Sequence, residues 1–218
     1  AEPVTVAFEA LSRVNTPGPL RVPDFLFEYS VRKQRMTELE LRCVENAICA
    51  AASLPAEASV FVNVHPTVLA DRRLVDGFAA ASEDYGVEPN RLIIEITEQA
   101  AMRDLPVTLS NIDALSSLGF RFAFDDVGVA YSHLLHLERV RPAFMKISQE
   151  FGADFHRHEF KTKIVRNVVN LAKDCGCEVI LEGVETTEVL DAAKGLGIRL
   201  AQGFLFGRPS LATSWCQV

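Results

Sequence analysis

The chain has 218 residues, 49% of them hydrophobic and 23% charged, and carries a net charge of −7. That length and apolar fraction suit one large α/β domain with a full core and exclude gross disorder. The acid excess argues against nonspecific contact with DNA or an anionic membrane, whose partners carry basic surfaces, but it leaves room for a small phosphorylated ligand, because a bound metal reverses the local sign.

Short runs rich in β-branched and aromatic residues alternate along the chain with helical patterns. Val4–Ala10 reads as a first strand and brings Glu9 to its end. A Pro/Gly loop over 15–19 precedes a helix over Met36–Ser53, with Leu39, Val44, Ile48 and Ala51 on one face. Val60–Val64 is the second strand and carries Asn63, whose amide oxygen is a hard ligand suited to magnesium or manganese. A helix over Leu74–Tyr85 stops at Gly86, and the third strand, Leu92–Thr97, holds Glu95 inside an aliphatic run, where an unpaired carboxylate is expensive. After a helix over Val107–Leu118, the strand Arg121–Asp125 ends in adjacent carboxylates, Asp125 and Asp126. Side chains alternate along a strand, so both acids serve one site only if the backbone turns, and Gly128 is expected to permit that. Ala143–Ile147 supplies Lys146, the one cation at these strand ends. Glu159–Lys173 is helical, Glu178–Leu181 leads into Glu182-Gly-Val-Glu185, Thr187–Lys194 is helical, and Arg199–Phe204 carries Gln202.

Alternating strands and helices imply a parallel sheet covered by helices. Closed into a barrel, such strands put their carboxyl ends on one rim, so that scattered residues converge. Carboxylates gathered there repel one another unless something positive holds them, and divalent metal is the usual answer. Each residue also has an ordinary structural reading. Asp126 suits a helix cap, Glu182 a helix start, and Lys146 a side chain that snorkels to the rim. Their order, one per strand, is what makes them specific. The five cysteines are odd in number and Cys175-Gly-Cys177 is too tight for zinc, so they read as reduced thiols. No run approaches the ~20 apolar residues of a membrane span, no secretory leader is visible, and the expected location is cytoplasmic. His133, His136, His156 and His158 read as solvated histidines, His65 as a rim residue and Trp215 as a packing anchor.

In order, Glu9-Ala-Leu-Ser-Arg13, Val62-Asn63-Val64, Glu95-Ile-Thr-Glu98, Asp125-Asp126, Lys146, Glu182-Gly-Val-Glu185 and Gln202-Gly-Phe204 resemble the EAL family of cyclic di-GMP phosphodiesterases as far as Pro209. The resemblance implies a modified TIM (β/α)8 barrel whose first, antiparallel strand is expected ahead of Ala1. It also implies that residues 1–218 form a single domain excised from a longer signalling protein with sensory or cyclase domains. The implied activity is hydrolysis of cyclic di-GMP to linear pGpG with two divalent ions, Mg2+ or Mn2+. Glu9, Asn63, Glu95 and Asp125 look like ligands of one ion, and Asp125, Asp126 and Glu182 like ligands of the other. Lys146 is similar to the lysine that helps activate water, and Glu185 and Gln202 to supporting site residues. Arg13 matches the phosphate-contacting arginine and Glu98 the anchor of the loop after Asp126, near which a homodimer interface is expected.

Three departures stand beside the match. The loop Val127–Leu134 lacks the family's threonine and second glycine. Ser148 replaces the aspartate of Lys-x-Asp and is expected to contact substrate or its water. The segment 28–37 is unlike the family's. The altered loop and Ser148 favour an alternative, a degenerate EAL domain that binds cyclic di-GMP as a sensor, whereas the intact metal ligands favour the enzyme; the segment 28–37 bears on substrate contacts. A lyase using Lys146 as a Schiff base is disfavoured, because the carboxylates expected around it stabilise the charged amine.

Overall fold

The computed structural model describes residues 3–15, 17–97, 105–127 and 134–215. Parallel strands alternate with covering helices in the manner of a modified TIM barrel, and seven strands occur among the described residues. The chain divides into two compact units.

The first unit comprises residues 1–95, 99–121 and 210–218. Its strands are β1 (Ala7–Ala10), β2 (Ser59–Asn63) and β3 (Leu92–Thr97) as far as Glu95, and its helices are α1 (Pro23–Arg32), α2 (Met36–Ala51), α3 (Arg72–Tyr85) and α4 (Leu105–Ser117). β2 lies between β1 and β3, parallel to both. Leu92, Ile93 and Ile94 are all buried, as expected of a parallel strand packed on both faces. α3 starts where Asp71 accepts the backbone N–H of Arg73 at 3.0 Å, which satisfies one of the amides a helix start leaves open. Phe78 on α3 meets Phe120 edge to face at 5.3 Å, and Trp215 packs against Phe8, as its reading as an anchor expects.

The second unit holds residues 96–98 and 122–209. β4 (Arg121–Val127), β5 (Phe144–Ile147), β6 (Glu178–Leu181) and β7 (Leu200–Ala201) run parallel in chain order. α5 (Leu134–Val140), α6 (Gln149–Gly152), α7 (Glu159–Cys175) and α8 (Thr187–Gly195) accompany them. α7 buries Val165, Val168 and Ala172 at helical spacing.

Helices α5 and α6 were not expected, several ends shift by a residue or two, and the following differences are larger. β1 begins at Ala7, because Val4 and Val6 lie exposed outside the ladder. α1 occupies 23–32, where no helix was expected; Val22, Phe25, Tyr29 and Val31 stay exposed, so the segment lacks the strong apolar stripe that marks a buried helix. β4 continues through both aspartates to Val127. β7 keeps two residues, and Gln202 continues its pairing irregularly by donating to Leu181 O and accepting from Val184 N–H.

Candidate metal centre and ligand pocket

In the first unit, strand register sets the facing of three side chains. Glu9 stands opposite Phe61, and Asn63 opposite Glu95. Partners in a parallel pair point to one face and side chains repeat every second residue, so Glu9, Asn63 and Glu95 share a face at the ends of β1, β2 and β3. Asn63 Nδ2 donates to Glu9 Oε1 at 2.9 Å, which leaves the amide oxygen for a cation. Glu95 is 1% exposed.

A pocket of about 180 Å³ opens beside this set. Its wall includes Arg13, whose guanidinium is exposed and donates to Ser12 O, together with Phe27, Asn63 and Glu40. Glu40 escaped the sequence reading. The helical face expected to be buried ran through Leu39, yet Leu39 is half-buried and the covered stripe is Met36, Glu40, Val44, Ala47, Ile48 and Ala51. The i, i+4 spacing from Met36 through position 40 to Val44 was the signal available.

In the second unit, Phe124 pairs with Met145 and Val127 with Ile147, so two residues of β4, Asp125 and Asp126, stand opposite the single residue Lys146. This is a β-bulge. Asp126 sits at φ +57°, in the left-handed region that aspartate enters more readily than most residues. The required turn is therefore made by the second aspartate itself; Gly128 lies outside the described residues. Glu182 follows Ile180, the partner of Lys146, by two positions and so shares its face.

The outcome is a compact cluster. One carboxylate oxygen from each of Asp125, Asp126 and Glu182 lies within 4.8 Å of the others. Lys146, 1% exposed, sends Nζ to Glu182 Oε1 at 2.8 Å and Asp125 Oδ1 at 3.3 Å. It does not snorkel. Buried charge persists only where it is paired, and here one ammonium faces two carboxylates with a third beside them. The surplus negative charge and the hard oxygen donors fit a divalent cation.

The remaining predicted residues fall as follows. Gln202 is half-buried directly after β7, and Gly203 follows where any Cβ would come 2.1 Å from the backbone of Val184. Glu185 is exposed between β6 and α8. Ser148 is 4% exposed at the end of β5, and its Oγ has no hydrogen-bond partner among the described residues. Glu98, and the loop after Val127 with His133, fall outside the described residues, as does Cys216. His158 pairs with Asp154, and the described cysteines are free thiols. No helix among the described residues is long and apolar enough to cross a membrane.

The sequence profile described as EAL domain matches residues 1–209. The probable cyclic di-GMP phosphodiesterase PdeA of Escherichia coli is 28% identical over 92% of this chain and 28% of its own length. The bifunctional diguanylate cyclase/cyclic di-GMP phosphodiesterase MucR of Pseudomonas aeruginosa is 34% identical over 71% of this chain and 22% of its own. This chain thus spans about a quarter of the length of these relatives. Among solved structures, the manganese/cyclic di-GMP complex of Klebsiella pneumoniae BlrP1 at pH 6 superposes with a TM-score of 0.81 at 34% identity, over 95% of this chain and 52% of that one.

Proposed function

The chain belongs to the EAL domain family, and from that premise we propose that it hydrolyses cyclic di-GMP to linear pGpG with Mg2+ or Mn2+ as cofactor. The observation that carries this reading is the buried Lys146 ammonium facing Asp125 and Glu182, with Asp126 turned into the same cluster by the bulge in β4. Asp125, Asp126 and Glu182 are the ligands proposed for one cation, and Glu9, Asn63 and Glu95 supply ligands for a second. When bound, such cations acidify water and offset charge on a phosphodiester.

The chain's own residues prepare for this. Lys146 fixes two carboxylates that would otherwise swing apart by repulsion. The hydrogen bond from Asn63 to Glu9 sets which end of the amide faces a ligand. Arg13, with an exposed guanidinium, offers paired donors to a phosphate. Glu185 and Gln202 are proposed as supporting residues beside the turn at Gly183, and Ser148 as a hydrogen-bonding residue near Lys146. A second copy of the chain, and sensory or cyclase domains of a longer protein, are the proposed partners.

The test incubates the purified chain with cyclic di-GMP and Mg2+ or Mn2+ and follows pGpG by chromatography. Product that disappears with EDTA and falls by at least about 100-fold in Asp125→Asn is the expected result, since losing even a ligand's supporting partner costs up to about that factor. Binding of cyclic di-GMP without any product would replace this reading with the sensor.

A further inference from the structure

A pair of thiols lies outside both carboxylate sets. Cys175 closes α7, Cys177 stands immediately before β6, and Gly176 separates them at φ +72°. A residue in helical geometry, of either hand, brings its two neighbours' α-carbons to about 5.4 Å, inside the span that a disulfide bridges. The turn is fixed by the backbone, since Gly176 N–H donates to Lys173 O at 3.3 Å and Cys177 N–H to Ala172 O at 2.8 Å. Neither bond involves a sulfur, so the turn survives a change in the thiols. Cys177 Sγ donates to Pro142 O at 3.1 Å and lies 3.9 Å from Cys175 O.

The two thiols are unequal. Cys175 is exposed, whereas Cys177 is half-buried. Burial pushes the Cys177 thiol up to about 11, and the charge of a Cys175 thiolate adds to that. A reagent in solution therefore meets Cys175 first, with a second sulfur held behind it.

We propose that Cys175 and Cys177 are a reversible redox pair that reacts with small disulfides of the glutathione type. The Cys175 thiolate attacks one sulfur of the small disulfide, whose S–S bond breaks, and the first thiolate leaves and takes a proton from water. The mixed disulfide at Cys175 carries no charge, which removes one of the two influences that keep Cys177 protonated. Cys177 then gives its proton to water, exchanges its hydrogen bond with Pro142 O for a bond to Cys175 Sγ, and expels the second small thiolate. Two protein thiols are oxidised and one small disulfide is reduced to two thiols. The second step is intramolecular and outruns a second encounter from solution. A ring this small strains the bond and leaves it easily reduced, as suits a transient disulfide rather than a structural one. The pair lies at the opposite end of β6 from Glu182, so this chemistry is independent of the carboxylate cluster.

The test places the reduced chain in glutathione buffers of graded oxidised-to-reduced ratio, quenches with an alkylating agent, and maps the digested peptides by mass spectrometry. In oxidising buffer the wild-type peptide holding both residues should lose two hydrogens, take up no alkyl group and retain no glutathione. Returning to reducing buffer should restore two alkylation sites. Cys177→Ser should stop one step earlier, with glutathione retained on Cys175. Cys49 is an internal control, because it is exposed and stands six residues from Cys43 on α2, off the spacing at which helical side chains meet; glutathione that it acquires should stay. Wild type that keeps glutathione on Cys175 as the variant does, that leaves both thiols open to alkylation in the most oxidising buffer, or that links either sulfur to another cysteine overturns the proposal. Thermal melting shows whether Cys177→Ser is folded; if it is not, the wild-type map alone decides, because it reads the closed ring directly.

Discussion

Asp125 and Asp126 were visible in the sequence as an adjacent pair, but alternation alone would send them to opposite faces. What reconciles them is a conformation, φ +57° at Asp126, and no pattern of residue types announces a bulge. Glu40 was hidden for a different reason: glutamate is common on exposed helix faces, and only the burial of Met36 and Val44 on either side reveals position 40 as interior. Its buried carboxyl makes a testable claim about stability. Its value in the folded chain is about 7 against an ordinary 4.5, so folding favours the protonated form. The contribution is complete below about 4.5 and is lost as pH rises through 7. At about 1.4 kcal/mol per pH unit, the loss is of order 3 kcal/mol. Glu40→Gln removes this dependence while other groups cancel in the comparison. Urea unfolding at pH 5 and pH 8 should show the variant gaining on wild type by roughly 2–3 kcal/mol between the two; a constant difference would show that Glu40 does not titrate in that window.

At the scale of elements, the strands at the centre of each unit were the most legible, because continuous aliphatic runs such as Leu92–Ile94 have few other uses. Ends were less so. The last strand shrinks to two residues where Gly203 lets the chain pass against Val184. α1 was missed because its apolar residues face outward, and α6 because four residues hold too little of a period to read. α3 was read correctly from Leu74, and its true start is set by Asp71. That carboxylate also accepts from Thr37 on α2, and the Arg73 guanidinium holds it down to about 2. Asp71→Ala should lower stability by about 1 kcal/mol at neutral pH, the usual worth of a cap. The deficit should shrink as pH falls from about 4 toward 2, where the wild-type carboxylate takes up its proton. A deficit unchanged at pH 2.5 would assign the effect to packing.

For the whole molecule, barrel class and carboxylate chemistry were accessible from sequence because they depend on order along the chain. The Lys146 contacts, the bulge and the pocket depend on register and could not be. An excess of seven negative charges, with three carboxylates in one cluster, predicts that divalent cations stabilise the fold. A ligand that binds only the folded state adds about 2.7 kcal/mol at 100 times its dissociation constant. Mn2+ should therefore raise the melting temperature reversibly to EDTA, and the rise should be much smaller in Asp126→Asn. An equal rise in both would place the stabilising ion elsewhere.

The bulge in β4 also limits which insertions and deletions the gene can tolerate. Removing one residue between Phe124 and Val127 would restore an unbroken ladder with β5, a local gain in hydrogen bonding, yet only one side chain would then remain opposite Lys146. Spacing here is under as much constraint as identity, and drift toward a more regular strand would cost the chain its carboxylate cluster before its fold.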